Sequence, residues 1–421
     1  MPGFGKSYDV IIIGAGSVGT PSAFYLAKEK NKVLVIDTYA SVGQGSNKTA
    51  IGGIRATHSD HSKIKICSRS IEIFSTWKDV YGDEIEWYPG GYVFAAYQDK
   101  DAKALQELLT IQKSFGLIIN WLTARELLGI VPDLNPAGLL GGTFSPKDGH
   151  ASPLLANHAF YDQSVKLGVD FLFKTAVEDL IIDQGSIKGV STNKGPYYAQ
   201  IVINAAGACA GKIGEMAGLH LPINPDSHEA GITEPVTRFL NPMIVDMRPF
   251  KKSSNFYFYQ HYTGQIIFCV TPSPNLWGFD TRETSEFLPL AARRLIEIIP
   301  KLQNIRVRRT WRGLYPITPD GFPIIGFIPE VKGFLQAAGM CGQGFMMGLG
   351  LAELIARLVN NHLTEKDKDI LNSFSPQRQF LSQEMLKLIL FNLIRLILNS
   401  NEFFFLPVNI ILIKRKQNYD N

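Results

Sequence analysis

Three glycines and one acid near the N-terminus have the residue types and spacing that hold a dinucleotide. Gly14, Gly16 and Gly19 follow an apolar run at residues 10–13, and Asp37 lies 18 residues beyond Gly19. The first glycine of such a pattern permits a tight turn, the second lets a pyrophosphate approach the backbone, and the third lets a helix pack on a strand. The acid accepts hydrogen bonds from ribose hydroxyls. The spacing predicts a site for NAD or FAD without choosing between them.

A strand–helix–strand unit is needed to bring these residues together. Residues 8–13 and 32–37 have the apolar, β-branched composition of strands, and residues 17–28 have that of a helix. The N-terminal end of this helix offers N–H donors and a positive dipole end to phosphates, so Ser17 and Val18 join the predicted site. The alternation of strand and helix indicates a parallel sheet.

The whole chain has the composition of an ordinary globular protein. It has 421 residues, of which 45% are hydrophobic and 19% charged, and its length predicts two domains. A net charge of +4, with acids and bases interspersed, argues against a nucleic-acid partner. The four cysteines form no CxxC pair, which argues against a metal centre. Free thiols and the lack of a signal-peptide pattern predict a cytoplasmic protein.

The order of the elements predicts a mixed α/β chain, α+β overall, with two interleaved domains. We assign residues 1–85, 147–220 and 310–380 to the nucleotide-binding domain. Residues 86–146 and 221–309 would form a substrate domain with an antiparallel sheet. Its clearest signal is a pair of strands at 255–261 and 265–270 around a turn at Thr263 and Gly264.

Three further motifs resemble one known family. They stand at residues 43–55, 311–326 and 337–345. With the dinucleotide fingerprint they resemble the D-amino-acid oxidase superfamily of FAD-dependent oxidoreductases, and most nearly its glycine oxidase and sarcosine oxidase β-subunit group. The resemblance covers about residues 8–380 and is specific for the superfamily, though not for a substrate. It implies FAD, bound by a Rossmann-like domain of the glutathione-reductase type.

The resemblance also implies most of the cofactor site. Residues 342–345 would begin a helix aimed at the flavin, whose dipole and N–H groups would stabilise charge on the reduced ring. Val177 would meet the adenine, and Ala206 and Gly207 would pass the phosphates and ribose. The alternatives are a helix packed through its glycines and a Val177 that belongs only to the core. The remaining predicted cofactor residues are Ser46, Gly52, Gly53, Ile54, Arg55, Gly313, Gly339, Gly342, Gln343, Gly344, Phe345 and Met346.

The family chemistry moves a hydride from the carbon beside an amine nitrogen to flavin N5. The resemblance therefore implies oxidation of the C–N bond of a small amino acid or amine of the glycine, sarcosine, proline or D-amino-acid type. Relatives attach the flavin through a Cys or a His where this chain has Gly313 or Ala50, so we expect non-covalent FAD. The strand at 265–270 lacks the lysine with which sarcosine oxidases activate oxygen. We therefore expect a dehydrogenase with a separate, unknown electron acceptor.

The arginines that hold the substrate carboxylate in relatives are replaced here. Tyr315 and His58 take two of these positions, and Gln343 or Met346 takes a third. Either another base holds the carboxylate or the substrate is not a simple amino acid. The basic candidates are Arg55, His58, Arg248 and Arg312. The predicted catalytic residues are Tyr257, Tyr259, His58 and Arg312, with weaker support for Gln260 and His261, and each of them has a purely structural alternative.

Two other functions stay open at this point. The chain would be an FAD-dependent dehydrogenase of a 2-hydroxy acid or of glycerol 3-phosphate if His58 or Arg312 serves as a base for an alcohol. It would otherwise be the flavin subunit of a larger complex that has no activity alone.

An apolar tail at residues 381–421 follows the region of resemblance. We consider three interpretations: docking on a partner subunit, peripheral contact with a membrane, or a segment from a changed reading frame without a role.

Overall fold

A computed structural model describes residues 7–380 of the chain. The strands are β1 (Ser7–Ile13), β2 (Val33–Ile36), β3 (Gly53–Ile54), β4 (Tyr92–Ala96), β5 (Asn120–Thr123), β6 (Gly141–Ser145), β7 (Gly149–His150), β8 (Asp170–Leu172), β9 (Val177–Asp183), β10 (Ser186–Thr192), β11 (Gly195–Asn204), β12 (Asn224–Pro235), β13 (Met243–Asp246), β14 (Ser253–Gln260), β15 (Gln265–Pro272), β16 (Val307–Ile317), β17 (Ile324–Phe327) and β18 (Phe334–Ala338). The helices are α1 (Gly19–Lys28), α2 (Ser46–Thr49), α3 (His61–Tyr81), α4 (Asp99–Ser114), α5 (Ala124–Ile130), α6 (Pro153–Lys166), α7 (Ala210–Met216), α8 (Phe287–Ile298), α9 (Gly344–Val359) and α10 (Glu365–Phe374).

The first sheet is built around β1, whose residues 10–13 are buried on both faces. Its order is β17-β18-β11-β1-β2-β8, with β10 and β9 added through β11, and β1 runs parallel to both β2 and β11. Val10 and Ile12 pack in one hydrophobic cluster, whereas Ile11 and Ile13 pack in another on the opposite face. This burial on both sides explains why the strand reads as an unbroken apolar run rather than as an alternating one.

The second sheet has one face in a core and the other turned toward the first sheet. Its order is β16-β12-β15-β14-β13-β4-β6-β5, and its pairs are antiparallel except for β13 with β4. On β14, Phe256 and Phe258 pack beneath α8, while Tyr257 and Tyr259 project to the opposite side. This alternation is the period of two that a half-buried strand requires.

The mixed α/β class predicted from the sequence is confirmed. The strands of the first sheet all lie in the segments predicted for the nucleotide-binding domain. Those of the second sheet all lie in the segments predicted for the substrate domain, apart from β16. That strand begins at Val307 and pairs with β12 in the second sheet, so the predicted boundary at residue 310 falls inside a strand. The division into domains itself stays a prediction.

Strand β12 is the most consequential element that sequence patterning missed. Its segment contains two prolines, a glycine and seven polar or charged residues, at positions 224, 226–229, 233 and 234, which is poor strand composition. It forms a strand because β15 and β16 pair with it on both sides. The consequence is a set of buried polar side chains in the middle of the second sheet, including Asp226 and His228.

No helix within residues 7–380 is long and apolar enough to cross a membrane. The predicted tail at 381–421 lies outside the described residues, so membrane contact and location in the cell stay predictions.

Candidate active site

A cavity of about 1590 Å³ lies between the two sheets. Of the predicted cofactor residues, only Gly19, Ile54 and Gly339 are absent from its lining. Two of the predicted catalytic residues, Tyr257 and Arg312, line it as well, whereas Tyr259 and His58 do not. The cavity is thus bounded by glycine-rich turns on one side and by side chains of the second sheet on the other.

The turn after β1 is shaped by its glycines. Gly14 has φ of 109°, and a Cβ there would lie 2.4 Å from the carbonyl oxygen of Ala205. A Cβ on Gly19 would lie 1.9 Å from the oxygen of Gly14, so Gly19 serves packing between helix and turn. A Cβ on Gly16 would have no atom within 4 Å, because this residue borders the open cavity. Gly16 therefore leaves room for a phosphate against the backbone.

Asp37 is fixed at the end of β2 by two backbone donors. Its Oδ2 accepts a hydrogen bond from Ala15 N–H at 2.7 Å, and its Oδ1 accepts one from Tyr39 N–H at 2.8 Å. A carboxylate has acceptor capacity beyond two bonds. Asp37 lines the cavity in an orientation that leaves this capacity for ribose hydroxyls.

The N-terminus of α9 lies against the start of α1. A Cβ on Gly348 would lie 2.0 Å from the carbonyl oxygen of Ser17, so only glycine permits this approach. The two helices therefore direct their positive dipole ends into the same cavity. Gln343, just before α9, has a buried Oε1 without a hydrogen-bond partner among the described residues. It is an acceptor available to a ligand.

Tyrosines and a histidine–aspartate pair line the opposite side of the cavity. The hydroxyls of Tyr257 and Tyr315 lie 2.7 Å apart, and the His228 ring stacks on Tyr315 with centroids 3.8 Å apart. His228 Nε2 lies 3.0 Å from Asp226 Oδ2. Sequence reasoning missed Asp226 and His228, because β12 gave no strand signal.

Burial sets the protonation of this group. It raises the pKa of Tyr257 and of Tyr315, and it raises the pKa of Cys269 beside them to about 12, so all three stay protonated near neutral pH. Burial opposes ionisation of Asp226 too, but hydrogen bonds from His228 and Asn275 outweigh it and lower the pKa of that carboxyl. Asp226 is therefore the negative charge of the group.

Arg55 is a cation of the cavity lining that interacts electrostatically with buried Asp148 but forms no ion pair within 4 Å among the described residues. One guanidinium nitrogen donates to the Thr57 carbonyl oxygen and lies 3.4 Å from His58 Nδ1, and the group sits 5.6 Å from the Phe94 ring centroid. No carboxylate among residues 7–380 forms an ion pair with it. Its charge is therefore available to an anionic ligand.

The other basic candidates are engaged differently. Arg312 lines the cavity, and its Nη1 donates to the carbonyl oxygen of Arg282 at 2.9 Å. Arg248 lies outside the lining and pairs with Asp246 at 2.9 Å and Glu297 at 3.0 Å. These contacts leave Arg55 and Arg312 as the arginines among the candidates that face the cavity.

Four sequence candidates make structural contacts away from the cavity. His58 is fully buried behind Arg55, with Nε2 3.5 Å from Cys67 Sγ. Tyr259 donates its hydroxyl to the Ile51 carbonyl oxygen at 2.6 Å. Gln260 accepts from the backbone N–H of Phe239 and Leu240, and His261 faces Glu86. Tyr259, Gln260 and His261 follow Tyr257 on or directly after β14, and the sequence alone did not show that only Tyr257 lines the cavity.

The two positions used elsewhere for covalent attachment are closely packed here. A Cβ on Gly313 would lie 2.1 Å from Thr49 Oγ1, and Ala50 follows Thr49 directly. Neither residue carries a nucleophile. Non-covalent attachment stays our prediction, and a flavin that remains with the polypeptide in a denaturing gel would contradict it.

Comparison with known proteins identifies the class. The family model described as FAD dependent oxidoreductase matches residues 9–358, so the chain belongs to this D-amino-acid oxidase family, as its motifs predicted. It is 25% identical over 404 residues to hydrogen cyanide synthase subunit HcnC of Pseudomonas aeruginosa, covering 86% of this chain and 94% of that one. It is 26% identical over 362 residues to glycine oxidase of Geobacillus kaustophilus, covering 83% and 93%.

A solved structure gives a closer match. The crystal structure of L-proline dehydrogenase from P. horikoshii superposes with a TM-score of 0.83 at 34% identity, covering 89% of this chain and 98% of that one. The predicted fold class is confirmed by this likeness. The protein is therefore an oxidoreductase that binds FAD.

The cavity fits this cofactor. Gly16 leaves open space beside the turn, Asp37 presents a fixed carboxylate, and Gln343 offers an unpartnered acceptor next to the start of α9. FAD, when bound, supplies the two-electron acceptor of the reaction. The protein supplies binding, orientation and electrostatics around it.

Proposed function

We propose that the protein is a dehydrogenase that oxidises the C–N bond of a small amino acid and delivers the electrons to an acceptor other than oxygen. The observation that carries this proposal is Arg55, a cation that forms no ion pair within 4 Å among the described residues and lines the same cavity as the tyrosine and histidine side chains. A guanidinium matches a carboxylate, and the neutral aromatic side leaves room for an amine-bearing ring or chain.

Proline is our first candidate substrate. The 34% identical structural relative is named L-proline dehydrogenase. Aromatic and aliphatic residues of the second sheet, among them Phe94, Val245 and Tyr257, line the same cavity as Arg55. Such a surface suits a pyrrolidine ring better than the single methylene of glycine.

The chain's own residues would act by position and charge. Arg55 would hold the substrate carboxylate, and the Tyr257 and Tyr315 hydroxyls would donate to or accept from its polar atoms. The dipoles of α1 and α9 would stabilise negative charge in the cavity. The position of the cavity between the two sheets would help to exclude water from the reacting carbon.

A dehydrogenase is favoured over an oxidase by the residues of β15. The strand that borders the cavity carries no lysine over Gln265–Pro272, and its cavity-facing residues include Cys269 and Thr271. A positive charge at this place would stabilise the developing superoxide anion. Its lack argues for slow reaction of the reduced enzyme with oxygen.

Anaerobic stopped-flow reduction of the bound flavin tests the proposal. The panel would be glycine, sarcosine, L-proline, D-proline and D-alanine, against lactate and glycerol 3-phosphate. We expect bleaching by at least one amine, with L-proline fastest, and none by the hydroxy compounds. Bleaching by lactate or glycerol 3-phosphate alone would replace the proposal with the alcohol-oxidising alternative.

A second candidate function concerns assembly. The Pseudomonas aeruginosa relative is named as a synthase subunit, so this chain would be the flavin subunit of a larger complex. Size-exclusion chromatography coupled to light scattering, with turnover of the isolated chain on a dye acceptor, separates the two. Full turnover by the isolated chain would exclude a required partner.

A further inference from the structure

We propose that His228, oriented by Asp226, is the general base that removes a proton from the substrate ammonium group before the C–N bond is oxidised. This inference rests on the proposed function, since it assigns a residue to that reaction. No sequence motif of the chain marks either residue, and the structure brings both into the cavity through β12.

The pair is held rigidly. His228 and Asp226 stand two residues apart on β12, so both side chains leave the strand on the face that lines the cavity. Besides His228, Asp226 accepts hydrogen bonds from the Asn275 side-chain amide at 2.7 Å and from Leu276 N–H at 2.6 Å. A carboxylate fixed from two sides in this way fixes the imidazole that it contacts.

The second nitrogen of the ring is unsatisfied within the described residues. His228 is only 6% exposed, and its Nδ1 is buried and has no hydrogen-bond partner among the described residues. An unsatisfied buried polar atom costs about 1–3 kcal/mol. When Nε2–H is donated to Asp226, Nδ1 carries a lone pair and is an acceptor. A positioned imidazole with a free lone pair is the arrangement of a general base.

The other titratable groups packed around this ring are unsuited to the task. They are Tyr315 on β16, which stacks on the ring, and Tyr257 on β14 and Cys269 on β15, which contact each other beside it, and burial raises the pKa of all three. Each is therefore already protonated near neutral pH. Asp226 is negative but its oxygens are occupied by three donors. Within this cluster the free acceptor nitrogen belongs to His228.

The proposed step is a proton transfer and involves no oxidation. An amino acid enters mainly as its ammonium form, which has no lone pair to assist loss of hydride from the α carbon. An N–H bond of the ammonium breaks, its electron pair stays on nitrogen, and the proton bonds to Nδ1 of His228. The imidazolium that results is stabilised by Asp226. The later oxidation, for which bound FAD would supply the two-electron acceptor, is separate from this proton transfer.

Anaerobic stopped-flow experiments on the FAD-loaded enzyme with L-proline test the step. We expect His228→Asn to lower the limiting rate constant of flavin reduction by about 100-fold or more. It should also abolish the decline of that rate constant toward low pH between about pH 8 and 5, where imidazoles ordinarily gain a proton. Asp226→Asn should act in the same direction but less strongly. The matched control is His158→Asn, because His158 also pairs with an aspartate, Asp162 at 3.5 Å, but lies on the surface.

A binding measurement provides a readout that does not depend on turnover. The probe is 2-methylproline, which keeps the ammonium and the carboxylate but has no hydrogen on the α carbon. Calorimetric titration in two buffers of different ionisation enthalpy measures protons released on binding. Below about pH 6, where imidazoles are ordinarily protonated, we expect the wild type to release a proton and His228→Asn to release none.

Two results would overturn the assignment of His228 as the base. An unchanged reduction rate and pH profile in His228→Asn, with FAD content and melting temperature as in wild type, would overturn the assignment of the base. Equal proton release by wild type and variant would do the same. If His228→Asn does not fold, His228→Gln takes its place in both assays. Failure of every amine to bleach the wild-type flavin would instead refute the proposed function itself.

Discussion

The two sides of the cavity are formed by different kinds of chemical group. We call the turn at residues 14–19, Asp37 and the start of α9 the cofactor wall. Its contacts come mainly from backbone groups, glycine turns and helix ends. We call Asp226, His228, Tyr257 and Tyr315 the substrate wall. Its contacts come from side chains on three strands of the second sheet.

The difference has a consequence for function. A wall of backbone groups binds the same cofactor whatever the neighbouring side chains are, whereas a wall of side chains can change its ligand without a change of fold. We therefore expect substitutions in the cofactor wall to remove FAD. Substitutions in the substrate wall should leave FAD in place and change the kinetics.

The largest effect is expected at Gly16. Val at this position would fill the space that a phosphate needs, although it meets no protein atom within 4 Å of its Cβ. Several charge-assisted hydrogen bonds of about 1.5–3 kcal/mol each would be lost, which corresponds to a drop of 100-fold or more in FAD affinity, on the order of 3 kcal/mol. Equilibrium dialysis of FAD against the apoprotein measures it.

Gly129→Val is the control for that experiment. Gly129 lies on α5, is exposed and also has no neighbour within 4 Å. Its replacement should leave FAD affinity unchanged. Normal FAD binding by Gly16→Val would place the pyrophosphate elsewhere and break the distinction between the walls.

A buried histidine outside the two walls predicts a pH effect on stability. His150 lies on β7, which pairs with β3, its ring centroid is 4.2 Å from that of Tyr259, and burial lowers its pKa to about 3. The unfolded chain then binds a proton below about pH 6.5 while the folded chain does not, so stability falls as pH drops from about 6.5 toward 3. The loss is roughly 3 kcal/mol by about pH 4.

Urea unfolding at a series of pH values measures this loss. His150→Phe cannot take up a proton, so its free energy of unfolding should depend less on pH by about that amount. The exposed His158→Phe should keep the wild-type slope. An identical pH dependence in His150→Phe and wild type would show that His150 does not couple to folding.

Arg55 tests whether the substrate carboxylate is bound opposite the substrate wall. Arg55→Gln should raise KM for L-proline by on the order of 100-fold, about 2.7 kcal/mol, because it removes a charge-assisted pair. KM for pyrrolidine, which has no carboxylate, should change far less. Arg312→Gln is the matched variant, and a carboxylate-specific effect there instead would move the anion site to Arg312.

The smallest effect distinguishes two tyrosines on one strand. Tyr257→Phe should raise KM about fivefold, since one neutral hydrogen bond contributes about 1 kcal/mol. Tyr259→Phe should leave KM unchanged and lower the free energy of unfolding by about 1 kcal/mol, because its hydroxyl binds the Ile51 carbonyl. Steady-state kinetics and urea unfolding of both variants check the pair. Equal changes of KM in the two variants would contradict the assignment of Tyr257 alone to the substrate wall.

The cofactor wall was predictable because its chemistry is local in sequence. Gly14, Gly16 and Asp37 belong to one strand–helix–strand unit, and residues 342–346 begin one helix. Backbone turns and helix ends need particular residues at fixed spacing, so the pattern survives in the sequence. The family resemblance supplied the remaining positions, and the family membership is confirmed.

The substrate wall was less predictable because strand pairing assembles it. Tyr315 and Asp226 are opposite one another on β16 and β12, although they stand far apart in the chain. Tertiary pairing overrides the weak strand propensity of β12, so no local signal marked Asp226 or His228. His58 illustrates the reverse error, since a residue next to the motif at 43–55 in sequence is buried behind Arg55.

The most direct test of the whole account is anaerobic mixing of the FAD-loaded protein with L-proline, followed by admission of air. We predict that the visible absorbance of the flavin bleaches on mixing and returns only slowly in air, but rapidly with a dye acceptor. A flavin that L-proline and the other amines leave oxidised, while lactate or glycerol 3-phosphate bleaches it, would contradict the account.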